Sequence, residues 1–128
     1  TVLIINHFFA QDAVQLSAFG ALIGHCFPIW LRFKGGKGVA TFLGVAIALS
    51  FLIGVICCLV WLLVALMKRM SSLASLVSSL SAPIAAIFLG QPNAFGLLSV
   101  LTVIVFFRHQ QNISRIIKGV EPKIGTTE

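Results

Sequence analysis

Of 128 residues, 59% are hydrophobic and only 9% charged, where a soluble domain carries about 45–50% apolar and about 25% charged residues. A mean hydropathy of +1.07 excludes a water-soluble domain and makes lipid the main solvent. The formal net charge of +6 does not point to nucleic acid, because every Lys and Arg falls in one of three short clusters at the ends of apolar stretches: Arg32, Lys34 and Lys37; Lys68 and Arg69; Arg108, Arg115, Lys118 and Lys123.

That placement is the positive-inside signature of cytoplasmic loops, and no soluble basic face exists between the clusters. No polar linker divides the chain, so residues 1–128 read as one transmembrane domain. The first residues, Thr1-Val2-Leu3-Ile4-Ile5, carry no Met, no basic n-region and no cleavage site. They read as the tail of an earlier membrane helix, and the chain as a fragment. His7 falls in that stretch and reads as an interfacial residue.

The first complete span is expected over Ala13 to Leu31, about 28 Å of helix, with Asp12 at its outer end and Arg32 at its inner end. Cys26 lies within it. Cys57 and Cys58 lie in the next apolar run, and no cysteine has metal-site spacing, so no metal is expected. The run from Gly38 to Met67 would give one helix of about 45 Å. A single crossing would put Lys68 and Arg69 opposite Lys34 and Lys37, against the charge rule. A hairpin turning near Ser50 to Gly54 is expected instead, with arms of about 14 residues, short for a full crossing. A second hairpin follows, Ser71 to Leu89 and Ala94 to Phe107, broken at Gly90-Gln91-Pro92-Asn93 because Pro removes a donor and Gly and Asn favour turns. Its first arm is rich in Ser and Ala, which suits close helix packing, and Pro83 is expected to kink it. The result is an all-α polytopic transmembrane bundle of short helices and hairpins with five spans. All nine basic residues lie on one side, opposite Asp12 and Gln91 to Asn93.

Two segments carry chemistry. In Phe33-Lys34-Gly35-Gly36-Lys37-Gly38-Val39-Ala40-Thr41, glycines let backbone N–H groups turn toward one point, a helix N-terminus begins near Gly38, and two lysines add charge. These features make a phosphate nest. The Gly-x4-Gly-Lys-Ser/Thr spacing of a nucleotide P-loop is absent. The second segment runs from Phe107 to Glu121. If it is one helix, His109 and Asn112 share a face, Arg108 and Arg115 share another, and Ile113, Ile116, Ile117 and Val120 form an apolar stripe for the membrane surface. Gly119 is a C-cap candidate. His25, just before Pro28, either hydrogen-bonds within the bundle or lines the site, and Ser72 and Ser75 follow the second basic cluster. Only Asp12, Glu121 and Glu128 are acidic, so no carboxylate pair serves acid/base or two-metal chemistry. The remaining groups stabilise phosphate charge and favour reactions with a good leaving group.

The string Gly24-His25-Cys26-Phe27-Pro28, followed by Phe33-Lys34-Gly35-Gly36-Lys37-Gly38-Val39-Ala40-Thr41, resembles the second cytoplasmic motif of the bacterial acyl-phosphate:glycerol-3-phosphate acyltransferase (PlsY) family. His109-x-x-Asn112-Ile113-x-Arg115-x-x-x-Gly119-x-Glu121-x-Lys123-Ile124 resembles its third. The resemblance implies a seven-helix fold whose first helices, with a Gly-Ser-Gly-Asn-rich first motif, have no counterpart in residues 1–128. It implies transfer of a fatty acyl group from acyl phosphate to the 1-hydroxyl of glycerol 3-phosphate. The product is lysophosphatidic acid, for phospholipid synthesis, with no cofactor, no metal and no nucleic acid involved. It assigns Lys34, Gly35, Gly36, Lys37 and Gly38 to phosphate binding, His109 and Asn112 to the active centre and Glu121 to structural support. His25 is placed with the structural residues, and Ser75 is matched to a substrate-contacting position. The rival reading is a small membrane transporter or channel subunit with a cytoplasmic anion site.

Overall fold

The computed structural model describes Val2, residues 11–32 and residues 35–125. Among them are six α-helices: α1 (Gln11–Cys26), α2 (Val39–Leu49), α3 (Phe51–Lys68), α4 (Ser71–Phe88), α5 (Pro92–Arg108) and α6 (Gln110–Ile117), with a single 3-10 turn at Ile29–Leu31. The architecture is all-α, as expected. Lys34 and His7 lie outside the described residues.

The first span ends earlier than its hydropathy suggests. The helix stops at Cys26, two residues before Pro28, whose ring disfavours helical backbone in the preceding residue. The chain then tightens into the 3-10 turn and leaves through Arg32 in left-handed conformation (φ 51°). The first hairpin is present and turns at Ser50, but its arms are 11 and 18 residues, not equal. Ser50 has extended backbone (φ −154°), which breaks the apolar run without any Pro. At this turn Gly54 is buried, and a Cβ there would strike the Ile47 backbone, so α2 and α3 meet almost backbone to backbone. The second hairpin breaks at Gly90 and Gln91, and Pro92 opens α5 at the first helical turn, where its missing N–H is not needed. Hence α5 begins two residues before the expected Ala94 and has 17 residues. Pro83 is buried within a helix that runs on to Phe88.

Among the described residues only α3 and α4 are each long and apolar enough to cross a membrane alone, at 18 residues each. A third crossing needs α5 and α6 counted together across a 65° bend, and α1 and α2 are shorter apolar helices. The five expected spans therefore appear as five apolar helices of unequal reach. Helix α3 is the more hydropathic of the two long helices and the less buried. Its Leu59, Leu62, Leu63, Leu66 and Met67 are exposed and form an apolar outer surface. Helix α4 is the hub, touching α2, α3, α5 and α6. Besides Leu76 and Pro83, its buried face is Ser72, Ala74, Ser75, Ser78, Ser79, Ala82, Ala85 and Ala86, residues small enough to let neighbouring backbones approach. The hydroxyls are satisfied locally or across the interface. Ser78 Oγ donates to the Cys57 carbonyl (2.7 Å), and Thr102 Oγ1 lies within bonding distance of the Ser79 (2.8 Å) and Leu98 (2.7 Å) carbonyls.

The three basic clusters come together at one end of this bundle. Arg108 meets Gly35 and Gly36, Arg69 meets Ile124, and Lys37, Arg115 and Lys123 share one cavity. The other end holds Gln91, which donates to Ser50 Oγ (3.2 Å).

The close approach at Gly54 gives a direct test. Gly54→Ala is expected to destabilise by about 1–3 kcal/mol through overpacking. Gly44→Ala, whose added Cβ meets nothing, should be neutral or stabilising by up to about 1 kcal/mol from helix propensity. Thermal unfolding of both variants in detergent checks the pair, and equal midpoints would refute the close contact.

Candidate functional site

At the basic end lies a cavity of about 660 Å³ lined by Lys37, Val39, Ala40, Leu43, Trp61, Ser71, Ser72, Ser75, His109, Asn112, Arg115, Glu121, Pro122, Lys123 and Ile124. Two helices begin at it. Val39 and Ala40 are the first residues of α2, and Ser71 and Ser72 the first of α4; neither N-terminus carries a side-chain cap. First-turn N–H groups lack intrahelical acceptors, so both ends present positive dipole to the same space. Lys37, Arg115 and Lys123 add full charges against the single carboxylate of Glu121. The electrostatics are those of an anion site.

Gly38 starts α2 because it adopts φ 77°, closed to most side chains. It is buried, and a Cβ there would meet Cys26 Sγ and Leu22. A Cβ on Gly36 would meet the His25 imidazole, and one on Gly35 the carbonyls of His25 and Cys26. The glycines thus press the loop against the C-terminal turn of α1, a packing demand that composition alone does not reveal. Of the loop, Lys37 lines the main cavity; Gly35 and Lys37 line a neighbouring recess of about 330 Å³ with Phe107, Arg108, Gln110 and Gln111. His25 is exposed and packs on Gly36.

The second wall comes from the break between α5 and α6. Arg108 and Arg115 do not share a face, because the chain bends by 65° at His109. Arg108 turns to the glycine loop, while Arg115 turns to Glu121. His109, just past the end of α5, is buried at 1% exposure. Its Nδ1 lies 2.8 Å from the Val105 carbonyl, which requires a proton on Nδ1 and leaves Nε2 as acceptor. Burial pushes its pKa down, the Val105 carbonyl pushes it back up, and nearby Lys37 lowers it further, with a net lowering.

Gly119 ends α6 in a Schellman arrangement. With φ 71°, it lets Gly119 N–H donate to Ile116 O (3.0 Å) and Val120 N–H to Arg115 O (2.9 Å). The reversal aims Glu121 back into the site. Its Oε1 accepts from Ser72 Oγ (2.6 Å) and Asn112 Nδ2 (2.7 Å), and its Oε2 from Arg115 Nε (2.7 Å). Burial raises this carboxyl's pKa, but the bonds from Ser72, Asn112 and Arg115 outweigh it and hold it below the ordinary value. Ile124 is then pinned twice: its N–H donates to Arg69 O (2.6 Å), and Arg69 Nη2 donates to its carbonyl (2.9 Å).

His109, Asn112, Lys37, Ser75 and Glu121 are therefore brought together. Gly35, Gly36, Gly38 and His25 stand behind Lys37. Ser75 Oγ donates to Ser71 O (2.8 Å) and accepts from Trp61 Nε1 (3.1 Å). Three features were missed in the sequence. Trp61 and Lys123 line the cavity, Arg108 clamps the loop, and Arg69 holds the segment after α6. The only available signal was that Arg69 and Arg108 sit at helix ends beside the motifs. Among the described residues no three of His, Cys, Asp and Glu gather at one point.

A family model described as Glycerol-3-phosphate acyltransferase matches residues 1–119. Among similar proteins, the glycerol-3-phosphate acyltransferase of Ruegeria sp. (strain TM1040) is 49% identical over 97% of this chain and 61% of its own length. That of Jannaschia sp. (strain CCS1) is 54% identical over 91% and 58%. The crystal structure of PlsY (YgiH), an integral membrane glycerol 3-phosphate acyltransferase, in its glycerol 3-phosphate form is similar with a TM-score of 0.92 at 37% identity, over 98% of this chain and 64% of that one. Its lysophosphatidic acid form is similar with the same score. The chain spans about three fifths of the length of the curated relatives it matches.

The carboxylate junction predicts acid sensitivity. Glu121 has a lowered folded pKa, so its contribution is present above the ordinary value of 4.5 and is lost as pH falls through the lowered one. His109 is lowered from 6.5, so the unfolded chain takes up that proton first and acid again favours unfolding. The unfolding midpoint in detergent should be flat above pH 6.5 and decline below it, more steeply below 4.5. Glu121→Gln should destabilise the fold at pH 7 by about 1–3 kcal/mol, lowering the midpoint, and remove the steeper acid limb. A Gln variant with an unchanged limb would assign the effect to another group.

Proposed function

The chain belongs to the glycerol-3-phosphate acyltransferase family, and from that premise we propose that it forms the acyl-transfer site of a bacterial inner-membrane enzyme. In this reading the enzyme moves a fatty acyl group from acyl phosphate to the 1-hydroxyl of glycerol 3-phosphate, with the basic end facing the cytoplasm. Lysophosphatidic acid and phosphate are the products, and phospholipid synthesis is the setting. Residues 1–128 act as one transmembrane unit within it.

The observation that carries this reading is the convergence of two uncapped helix N-termini with Lys37, Arg115 and Lys123 on one cavity that also holds His109 and Asn112. An acyl phosphate is a mixed anhydride whose phosphate departs readily. The bond from the glycerol oxygen to the carbonyl carbon forms, the bond from that carbon to the phosphate oxygen breaks, and phosphate leaves with the electron pair. Lys37 and the N–H groups at Val39 and Ala40 hold phosphate charge and stabilise what develops in transfer. The glycine loop, with Lys34, Gly35, Gly36 and Gly38, shapes that phosphate site. Asn112, its Nδ2 fixed by Glu121, and Ser75, fixed by Trp61, orient the acceptor. The hydroxyl proton goes to a phosphate oxygen of the substrate or to Nε2 of His109. Glu121 supports these groups without reacting, and His25 supports the loop from behind. No metal, cofactor or nucleic acid enters this scheme.

Purified protein in proteoliposomes should make lysophosphatidic acid only when acyl phosphate and glycerol 3-phosphate are both supplied. Lys37→Met should raise KM for a phosphate substrate by about tenfold or more, and Asn112→Ala should cut kcat by about 10²-fold while the protein stays in the membrane. Steady-state kinetics on both variants checks this, and wild-type rates in either would remove that residue from the site. Anion flux with no acyl donor and no lysophosphatidic acid would favour a transporter.

A further inference from the structure

We propose that Arg108 is a positioning residue that sets the orientation of the glycine loop and thereby the affinity of its phosphate site. The proposal rests on the functional reading above. Arg108 lines the smaller recess and not the larger cavity, so it acts through the loop. Its Nη2 donates to the Gly35 carbonyl (2.7 Å) and its Nε to the Gly36 carbonyl (3.2 Å). One planar guanidinium therefore grips two successive peptide units with donors held in a fixed fork, a pre-organisation that the rotatable donors of an ammonium lack.

The consequence for the loop follows from peptide geometry. None of the described peptide bonds is cis, and in a trans unit the carbonyl and the following N–H point in opposite directions. With the Gly35 and Gly36 carbonyls drawn to the guanidinium, the Gly36 and Lys37 N–H groups point away from it. The clamp also fixes where the Lys37 side chain departs, and that side chain is what the loop contributes to the main cavity. Arg108 is itself held from behind. Its guanidinium carbon lies 5.1 Å from the centre of the Phe27 ring, and Phe27 lies 6.5 Å from Phe107. Phe27 follows α1 and Phe107 belongs to α5, so the orientation of the loop is tied to the relative placement of those two helices. Gly35 and Gly36 have no side chain to fix their peptide planes, so an external clamp is the element that can do it.

The test uses Arg108→Met and Arg108→Lys in the membrane-reconstituted protein. Arg108→Met should raise KM about tenfold for the phosphate substrate that the loop holds, found by varying glycerol 3-phosphate and acyl phosphate in turn, with kcat within about threefold of wild type. Amide hydrogen exchange should rise at residues 35–38 and stay unchanged in α3 and α4. Arg108→Lys should recover only part of the KM. Unchanged KM and exchange would overturn the proposal. A raised KM with unchanged exchange at 35–38 would also overturn it, assigning Arg108 to direct substrate contact, and so would exchange rising throughout the bundle, which means a general loss of packing. If the wild type makes no lysophosphatidic acid, the functional reading fails, and affinity for inorganic phosphate together with loop exchange still decides the role of Arg108.

Discussion

The carboxylate of Glu121 organises the basic end of the bundle. Three donors from three places converge on it: Ser72 from the start of α4, Asn112 and Arg115 from successive turns of α6. Its side chain is 6% exposed, against 39% for that of Arg115, so the carboxylate is the desolvated partner and the arginine keeps water. Removing one partner from such a group leaves the others buried without a match, which is costlier than the bonds themselves are favourable. It is also the one negative charge in a cavity lined by three cations. It offsets part of their mutual repulsion and leaves the cavity with a net positive field.

Around that junction the design is one of lending order to groups that cannot order themselves. Two glycines take their peptide orientation from an arginine, an asparagine takes its direction from a glutamate, and a serine takes its own from a tryptophan. The surrounding bundle permits this because α4 presents small side chains on its buried face, so four neighbours can pack close to it. The bulky residues of α3 face outward instead.

Much of this was legible in the chain. The hairpins followed from where Lys and Arg could lie, since Lys68 and Arg69 had to return to the side of Lys37. The turn at Gly90 to Pro92 followed from residue chemistry. Helix lengths were less legible, because Ser50 interrupts an apolar run through its backbone alone and hydropathy does not register that. The shared face of His109 and Asn112 was readable from spacing, yet the same assumption misplaced Arg108. Helical periodicity does not survive a bend, and nothing in Arg108-His109-Gln110 announces one. The packing of the glycines on α1 was not readable, since that contact joins the loop to side chains and carbonyls that spacing within the motif does not register. Trp61 and Lys123 enter the cavity from α3 and from the segment after α6, placements that only the tertiary fold decides.

The clasp between Arg69 and Ile124 ties together residues 55 positions apart. A ribosome therefore delivers Ser72 and Asn112 to the membrane before Glu121, the group that will hold them, has left the exit tunnel. Until then both hairpins can insert and pack, while the anion pocket stays open along one side. Completion of the pocket is a long-range event in the life of the chain, because the loop that Arg69 and Ile124 close contains α4, α5 and α6. A chain released after Gly119 would lack Glu121, Pro122, Lys123 and Ile124, and with them one wall of the cavity.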